Sequence, residues 1–226
     1  MPTPSIAPSP TPVETNEPTD ATAADASDEY KWKLKRGAIE FGVDVGFAPM
    51  QPTFLSGHKE YDTTGRKFVS VNLQFGKVIG TVKGVTYEYL FDVSPANFAI
   101  QNEIVNPEYV SEEETPDTAP TIRENTYGFS FQPAKFRFTF MPKRRLKPYV
   151  EAGAGFLFTS KPIPVPESPR YNFIGDFGGG LMYHIKPRQA VRFGYRYFHV
   201  SNMNIGEINP GYNANIFYIG FSWFSK

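Results

Sequence analysis

Strict alternation of apolar and polar side chains is the feature that most constrains the fold of this chain. Between Gly37 and Phe47, five apolar residues occupy every second position, and two carboxylates and two glycines lie between them. Successive side chains of a β-strand point to opposite faces, so this period of two predicts a strand with one apolar and one polar face. A helix would instead need apolar residues every three or four positions.

The same period recurs along the chain. It predicts further strands at about Lys67–Gly76, Gly84–Val93, Asn125–Phe140, Pro148–Phe158, Tyr171–Ile185, Val191–Ser201 and Asn213–Phe224. The connections are alternately long and short, and Ser94–Glu124 is read as the longest loop. Outer-membrane barrels show this asymmetry, with short periplasmic turns and longer extracellular loops. We therefore predict an all-β fold, an eight-stranded antiparallel up-and-down transmembrane β-barrel.

The two faces of the predicted strands decide between a membrane barrel and a soluble one. The face predicted to point outward carries Val43, Val71, Tyr89, Phe129, Ala152, Phe193 and Ile219, and the opposite face carries Glu40, Asn72, Glu88, Glu151 and Arg192. A soluble barrel that binds an apolar ligand inside, as lipocalins do, would not have so charged an interior. Because an eight-stranded barrel is too narrow for a channel, we expect Arg192 and Arg196 to pair with carboxylates in the lumen.

The fourth predicted strand contains an irregularity at Pro133. Its apolar positions change parity there, from Phe129 and Phe131 to Phe136 and the alternate residues that follow. Such a change indicates a β-bulge or a break at an edge, the two places where a strand tolerates proline. It would turn Lys135 or Arg137 toward the lumen, where that cation would also pair with a carboxylate.

Composition excludes several classes of protein and divides the chain into two regions. The formal net charge is zero, so no basic signature for nucleic acid is present, and the absence of cysteine excludes disulfides and thiol chemistry. Residues 1–34 are rich in Pro and Thr, and we predict a disordered tail because such a segment buries too little apolar surface to order itself. Residues 35–226 are predicted to form the barrel.

A histidine and a serine share one face at the end of the seventh predicted strand. His199 and Ser201 continue the parity of the aromatic residues before them, so both side chains should point outward. Residues two apart on a strand stand side by side, where an imidazole can activate a hydroxyl as a nucleophile. Asn213, at the start of the next strand, falls on the same outward parity. An outward site at the lipid boundary is one that an acyl ester could reach.

The residues around this pair resemble a known active site. His199-Val200-Ser201-Asn202, followed by Asn209-Pro210-Gly211-Tyr212-Asn213, is similar to the motif of the PagL-type lipid A deacylases, outer-membrane barrels with a serine hydrolase site facing the lipid. The resemblance implies His199 as base, Ser201 as nucleophile and Asn213 as the residue that orients the imidazole. Asn202 and Asn209, with loop backbone amides, would supply the oxyanion hole, and no metal or organic cofactor is implied.

The motif departs from the family at one position. The third member of the triad is typically Glu, where this chain has Asn213, and Glu207 in the intervening loop is the alternative acid. By this resemblance the protein is a serine esterase of the bacterial outer membrane that removes an ester-linked acyl chain from lipid A of lipopolysaccharide in the outer leaflet. The acyl chain would lie along Tyr195, Tyr197 and Phe217. A homodimer is one possible oligomeric state, and the sequence does not decide it.

A function of a different class is also compatible with the pattern. A non-catalytic barrel of the OmpA-like structural or adhesion type would use its long acidic loop rather than the His-Ser pair. Loss of activity on replacing Ser201 separates the two interpretations.

Overall fold

The computed structural model describes residues 31–52, 65–106 and 120–226, and its regular structure is a set of strands. We number them in chain order: β1 Ile39–Ala48, β2 Lys67–Val82, β3 Val85–Val105, β4 Thr121–Phe140, β5 Leu146–Thr159, β6 Tyr171–Lys186, β7 Gln189–Ser201 and β8 Tyr212–Phe224. No helix in these ranges is both long enough and apolar enough to cross a bilayer. The predicted disordered tail lies, apart from residues 31–34, outside the described residues.

Each strand pairs antiparallel with the next, and β8 pairs with β1, so the sheet closes into an eight-stranded barrel. Each strand is thereby hydrogen-bonded along both of its edges, so the barrel has no exposed sheet edge at which another chain could pair and aggregate. The predicted up-and-down topology is confirmed. We call the end with connections 83–84, 141–145 and 187–188 the turn end, and the opposite end, with the longer connections, the loop end.

The predicted orientation of the two faces is also confirmed. Tyr89, Phe129, Phe193 and Ile219 are among the exposed large apolar residues. The polar set lies inside, where Glu40, Asn72, Glu88, Glu151 and Arg192 are all buried. An apolar exterior around a polar interior is the inverse of a soluble barrel and suits a surface surrounded by lipid.

Two predicted boundaries were wrong. β3 runs on to Val105 through residues assigned to a loop, so that the connection to β4 is 106–120 rather than Ser94–Glu124. Register shifts between Ser94 and Asn97 and between Ala99 and Asn102 break the period of two, and this hid the strand in the sequence. β2 likewise continues beyond Gly76 to Val82, and only Lys83 and Gly84 turn the chain.

The bulge predicted in β4 is present. The register with β5 shifts between Phe131 and Ala134, around Pro133. The hydroxyl of Tyr89 on β3 donates a hydrogen bond to the Pro133 carbonyl, so the irregular backbone keeps a partner. As a result Lys135 and its second neighbour Arg137 point into the lumen, and both are fully buried.

The middle of the lumen is a layer of ion pairs. Arg137 lies 2.7 Å from Glu40 and 3.3 Å from Glu151, and Lys135 lies 2.9 Å from Asp176. These contacts join β1, β4, β5 and β6 across the barrel. Because charges buried without a partner are costly, each strand that contributes one is fixed in register by the others.

Asp44 of β1 extends this layer to β7. Its carboxylate lies 2.9 Å from Arg196 and 3.7 Å from Arg192, and Asn72 of β2 donates to it at 2.7 Å. The predicted pairing of both arginines with lumen carboxylates is therefore confirmed. Arg192 also donates to Gln74 at 2.6 Å.

Apolar clusters close the lumen on both sides of the charged layer, a feature that the sequence pattern did not predict. The loop-end cluster consists of Ala48, Phe68, Ala99, Leu157, Ile163, Ile174, Phe198, Val200, Tyr212, Ala214 and Ile216. The turn-end cluster consists of Leu34, Ala38, Val78, Tyr149, Met182, Ala190, Tyr218 and Phe224. Leu34 belongs to a segment that precedes β1, so the chain folds back over the turn end before the barrel begins.

Arg137 provides a test of the charged layer. Arg137→Met should destabilise the barrel by about 3–5 kcal/mol, because it leaves buried carboxylates without their cation. Urea unfolding in detergent micelles, followed by heat-modifiable gel migration, measures this loss. Lys77→Met, an exposed cation on the outer face of β2, is the control and should leave the midpoint unchanged. Equal midpoints for the two variants would contradict a stabilising role for the layer.

Candidate active site

The pairing of β7 with β8 brings the predicted histidine and asparagine together. In the register of these strands, His199 lies directly opposite Asn213. Both side chains follow the outward parity of their strands, at the loop end. Residues directly opposite on neighbouring strands have Cβ atoms about 5 Å apart, within reach of a hydrogen bond between their side chains.

The imidazole of His199 has its Nδ1 2.6 Å from Oδ1 of Asn213. An amide oxygen only accepts hydrogen bonds, so Nδ1 must carry the proton and Nε2 keeps its lone pair. The amide is oriented in turn by Pro52, whose carbonyl accepts a hydrogen bond from Asn213 Nδ2 at 3.4 Å. Asn213 is fully buried, and this chain of contacts selects the tautomer that a general base needs.

The hydroxyl of Ser201 is held by the loop that follows it. Asn209 Nδ2 donates to Ser201 Oγ at 3.0 Å, and the backbone N–H of Met203 donates to the same oxygen at 3.1 Å. The two donors converge on the oxygen that a nucleophilic serine would use. Within the described part of the chain, no hydrogen bond joins Ser201 to His199, although the two are neighbours on one face of β7.

Asn202 and Asn209 are both present at the site, but their contacts differ. Asn202 Nδ2 donates to the Ile208 carbonyl at 2.6 Å, and its Oδ1 accepts from the Asn204 backbone N–H at 2.8 Å. Both ends of this buried amide are therefore occupied in folding the 202–211 loop. Asn209 is the amide that has an N–H directed at Ser201.

Glu207 is placed differently from Asn213. It is an exposed residue of the loop, whereas the Nδ1 hydrogen bond of His199 goes to Asn213. The position at which the family motif has an acid is therefore the one that contacts the imidazole here, and its side chain is an amide.

The lipid-facing surface beside His199 contains a gap. Gly175 of β6 lies opposite His199, and a Cβ added to Gly175 would meet nothing closer than the Gly153 carbonyl at 3.9 Å. Phe173 lies opposite Ser201 and Phe177 lies on the other side of the gap. The absence of a side chain at Gly175 leaves room along the outer surface next to the imidazole.

One residue expected to line this surface is not accessible. Tyr197 is only 4% exposed, although its parity is outward, and its ring packs against that of Phe177 at 5.4 Å. Tyr195 and Phe217 are exposed, as predicted, and their rings contact each other at 5.4 Å.

Two groups at the site were not singled out in the sequence: the N–H of Met203, where loop backbone amides were expected without one being named, and the carbonyl of Pro52, which was not expected. Both are main-chain groups, which every residue has, so no residue type marks them. Their positions depend on the fold of two loops. Among the described residues, no group of three or more His, Asp or Glu side chains is arranged to hold a metal ion.

A closed eight-stranded barrel with an apolar exterior and polar residues at its outward rim defines an outer-membrane β-barrel. Comparison with protein families then gives a narrower assignment. The family model of lipid A 3-O-deacylase (PagL) matches residues 101–222. The chain belongs to this family and is a protein of the outer membrane.

A solved structure with a similar fold supports the barrel architecture. A crystal structure of the outer membrane enzyme PagL has a TM-score of 0.53 at 17% identity, covering 80% of this chain and 97% of that one. Neisserial surface protein A (TM-score 0.47, 13% identity, 83% and 99% covered) and Ail of Yersinia pestis in complex with a heparin analogue (0.45, 11%, 84% and 99%) are also similar. A comparison with curated proteins found no match.

The role of Asn202 in ordering the loop can be tested without any assay of function. Asn202→Ala should raise hydrogen exchange at amides 203–209, because two hydrogen bonds of a buried amide, together worth about 1–3 kcal/mol, are lost. Hydrogen–deuterium exchange by mass spectrometry measures the change. Ile205→Ala, at a side chain that is 68% exposed, is the control in the same loop. Unchanged exchange in Asn202→Ala would show that other contacts hold the loop.

Proposed function

We propose that this protein is a serine esterase that removes an ester-linked acyl chain from lipid A in the outer leaflet. The observation that carries the proposal is the 2.6 Å contact between His199 Nδ1 and Asn213 Oδ1. It leaves Nε2 as a base on the same strand face as Ser201. Membership of the lipid A 3-O-deacylase family gives the substrate class.

The proposed reaction begins when Ser201 Oγ attacks the carbonyl carbon of the acyl ester. His199 Nε2 takes the hydroxyl proton as the new C–O bond forms. Two residues along a strand span about 6.6 Å, so rotation of the serine side chain from its loop partners toward the imidazole is the movement required. Catalytic hydrogen bonds are often long or poorly aligned before substrate binds and tighten in the complex.

The negative charge that develops on the ester oxygen needs donors close to Ser201. Asn209 Nδ2 and the backbone N–H of Met203 both donate to Oγ in the free protein, and they are the groups that we assign to the oxyanion hole. Asn202 supports them by holding the loop rather than by contacting the substrate. This revises the sequence-based hypothesis, which gave Asn202 the role of a donor.

The tetrahedral intermediate collapses when the bond to the sugar oxygen breaks. His199 returns its proton to that oxygen, which leaves as a hydroxyl, and the acyl group remains on Ser201. Water then enters, gives a proton to His199 and attacks the acyl carbon. As the bond from the acyl carbon to Ser201 Oγ breaks, His199 gives this proton to Oγ, which regenerates the hydroxyl and releases the fatty acid. Asn213 holds the imidazole in place throughout but, as an amide, cannot stabilise imidazolium with a full charge.

The acyl chain would approach from the membrane rather than from water. The gap at Gly175, between Phe173 and Phe177, opens onto the lipid-facing surface next to His199. Tyr195 and Phe217 continue this apolar surface toward the turn end. A saturated chain laid against them stays in an apolar environment, while its ester carbonyl reaches the rim.

Ser201 is the first residue to test. Ser201→Ala should abolish release of fatty acid from lipid A, measured by mass spectrometry of lipid A incubated with the protein in micelles, because the nucleophile is lost. Ser160→Ala is a matched control, since that hydroxyl also accepts a backbone N–H at the loop end, from Tyr127 at 3.2 Å. Full activity in Ser201→Ala would support the non-catalytic structural or adhesion barrel instead.

Asn213 and Glu207 can be separated by parallel substitutions. Asn213→Ala should lower kcat by up to about 10^4-fold, the effect of losing the residue that orients the histidine in a Ser-His-Asp triad. Glu207→Ala should change kcat little, because its side chain is exposed and His199 already has a partner. The opposite result, a severe loss in Glu207→Ala alone, would make the loop carboxylate the third member of the triad.

A further inference from the structure

The turn end of the barrel is strongly basic. The segments that form it, 31–38, 77–87, 141–147, 183–190 and 225–226, contain no Asp or Glu. Cationic side chains at exposed or half-buried positions there are Lys31, Lys33, Lys35, Arg36, Lys77, Lys83, Lys143, Arg144, Arg145, Lys186, Arg188 and Lys226. A region of one charge sign attracts ligands of the opposite charge.

These cations lie at the edge of the apolar exterior rather than far from it. Val82 is 58% exposed and adjoins Lys83, and Met141 is 60% exposed and lies two residues before Lys143. In a membrane barrel, this boundary is at the level of the lipid headgroups. The short turns face the periplasm, so the headgroups at this level are those of the inner leaflet.

A cleft of about 660 Å³ opens among these cations. Lys33, Lys143 and Arg144 line it, and Met141 and Pro142 provide apolar surface. The cleft combines three cationic side chains with a partly apolar wall. Such a cleft is suited to a phosphate group that is linked to a hydrocarbon chain.

An apolar groove of about 580 Å³ continues from the cleft onto the outer face of β2, β3 and β4. Its lining includes Arg36 and the apolar residues Ile79, Val82, Tyr87, Phe136 and Phe138. Thr81 lines both cavities, so they adjoin. Glu88, the acidic residue along the groove, has its carboxylate in the lumen, where Thr139 donates to it at 2.5 Å.

Gly80 keeps this groove open. The register of β2 with β3 shifts between Val78 and Gly80, and a Cβ added at Gly80 would have no atom within 4 Å. A side chain at this position would therefore enter the groove without disturbing the packing of the barrel.

We propose that the cleft and the groove together bind one anionic phospholipid of the inner leaflet. The phosphate lies among Lys33, Lys143 and Arg144, and an acyl chain lies in the groove beside Gly80. The lipid fits the two cavities in charge and in position. The cations line the cleft that would hold the phosphate, and the apolar residues line the adjoining groove that would hold the acyl chain. The site is at the opposite end of the barrel from Ser201 and does not depend on the proposed esterase activity.

Native mass spectrometry of the full chain, released from zwitterionic micelles, tests this proposal. The probes are phosphatidylglycerol and phosphatidylcholine with identical chains. We expect one phosphatidylglycerol to be retained in preference to phosphatidylcholine, and Arg36→Gln and Arg144→Gln each to weaken its retention by about fivefold, the effect of removing one cation near an anionic lipid surface. Arg144→Lys should retain binding, and Gly80→Leu should lower it by filling the groove.

Lys161→Gln and Arg170→Gln, which remove cations at the loop end, are the matched controls and should leave retention unchanged. Equal retention of the two lipids, or equal effects of the turn-end and loop-end variants, would overturn the proposal. So would retention that appears only after residues 1–30 are deleted. That segment contains Glu14, Glu17, Asp20, Asp25, Asp28 and Glu29 and no Lys or Arg, and such a result would make it the occupant.

Discussion

The ion pairs in the middle of the lumen are the constraint on which the rest of the barrel depends. Arg137 and Lys135 meet carboxylates from strands that are far apart in sequence, and Asp44 carries the contacts on to β7. A register shift of one residue in any of these strands would move its charged side chain to the lipid-facing surface. The partner of that side chain would then be buried without a counter-charge. The layer therefore fixes the register of the whole sheet, including the register that places His199 opposite Asn213.

Much of the fold could be predicted from the sequence because lipid and a narrow lumen impose opposite demands on alternate residues. The strand at Ile39–Ala48 and the change of parity around Pro133 follow from that rule. The extension of β3 to Val105 did not, because bulges interrupt the period and a polar stretch with prolines looks like a loop. Tyr197 has outward parity but is buried, and alternation alone does not reveal how the surrounding side chains cover an outward residue.

At the candidate site, the sequence indicated which side chains come together. It could not indicate which main-chain groups contact them. The spacing of His199, Ser201 and Asn213 is visible in the sequence, since strand parity places all three on one surface. The N–H of Met203 and the carbonyl of Pro52 have no counterpart in residue type, because their directions come from loop conformation. Asn202 was expected to donate to the substrate for the same reason, because the loop conformation could not be predicted. Its side-chain amide is instead hydrogen-bonded to backbone groups of the loop.

The hydrogen bond from Asn213 to Pro52 has a consequence for the assembly of the barrel. Asn213 is on β8, the last strand, and Pro52 follows β1, the first, so the contact crosses the seam at which the sheet closes. Until the two ends of the chain meet, the contact from Pro52 to the amide beside His199 is missing. In the proposed esterase, a partly inserted chain would therefore lack one support of its base. Closure of the sheet would complete that support.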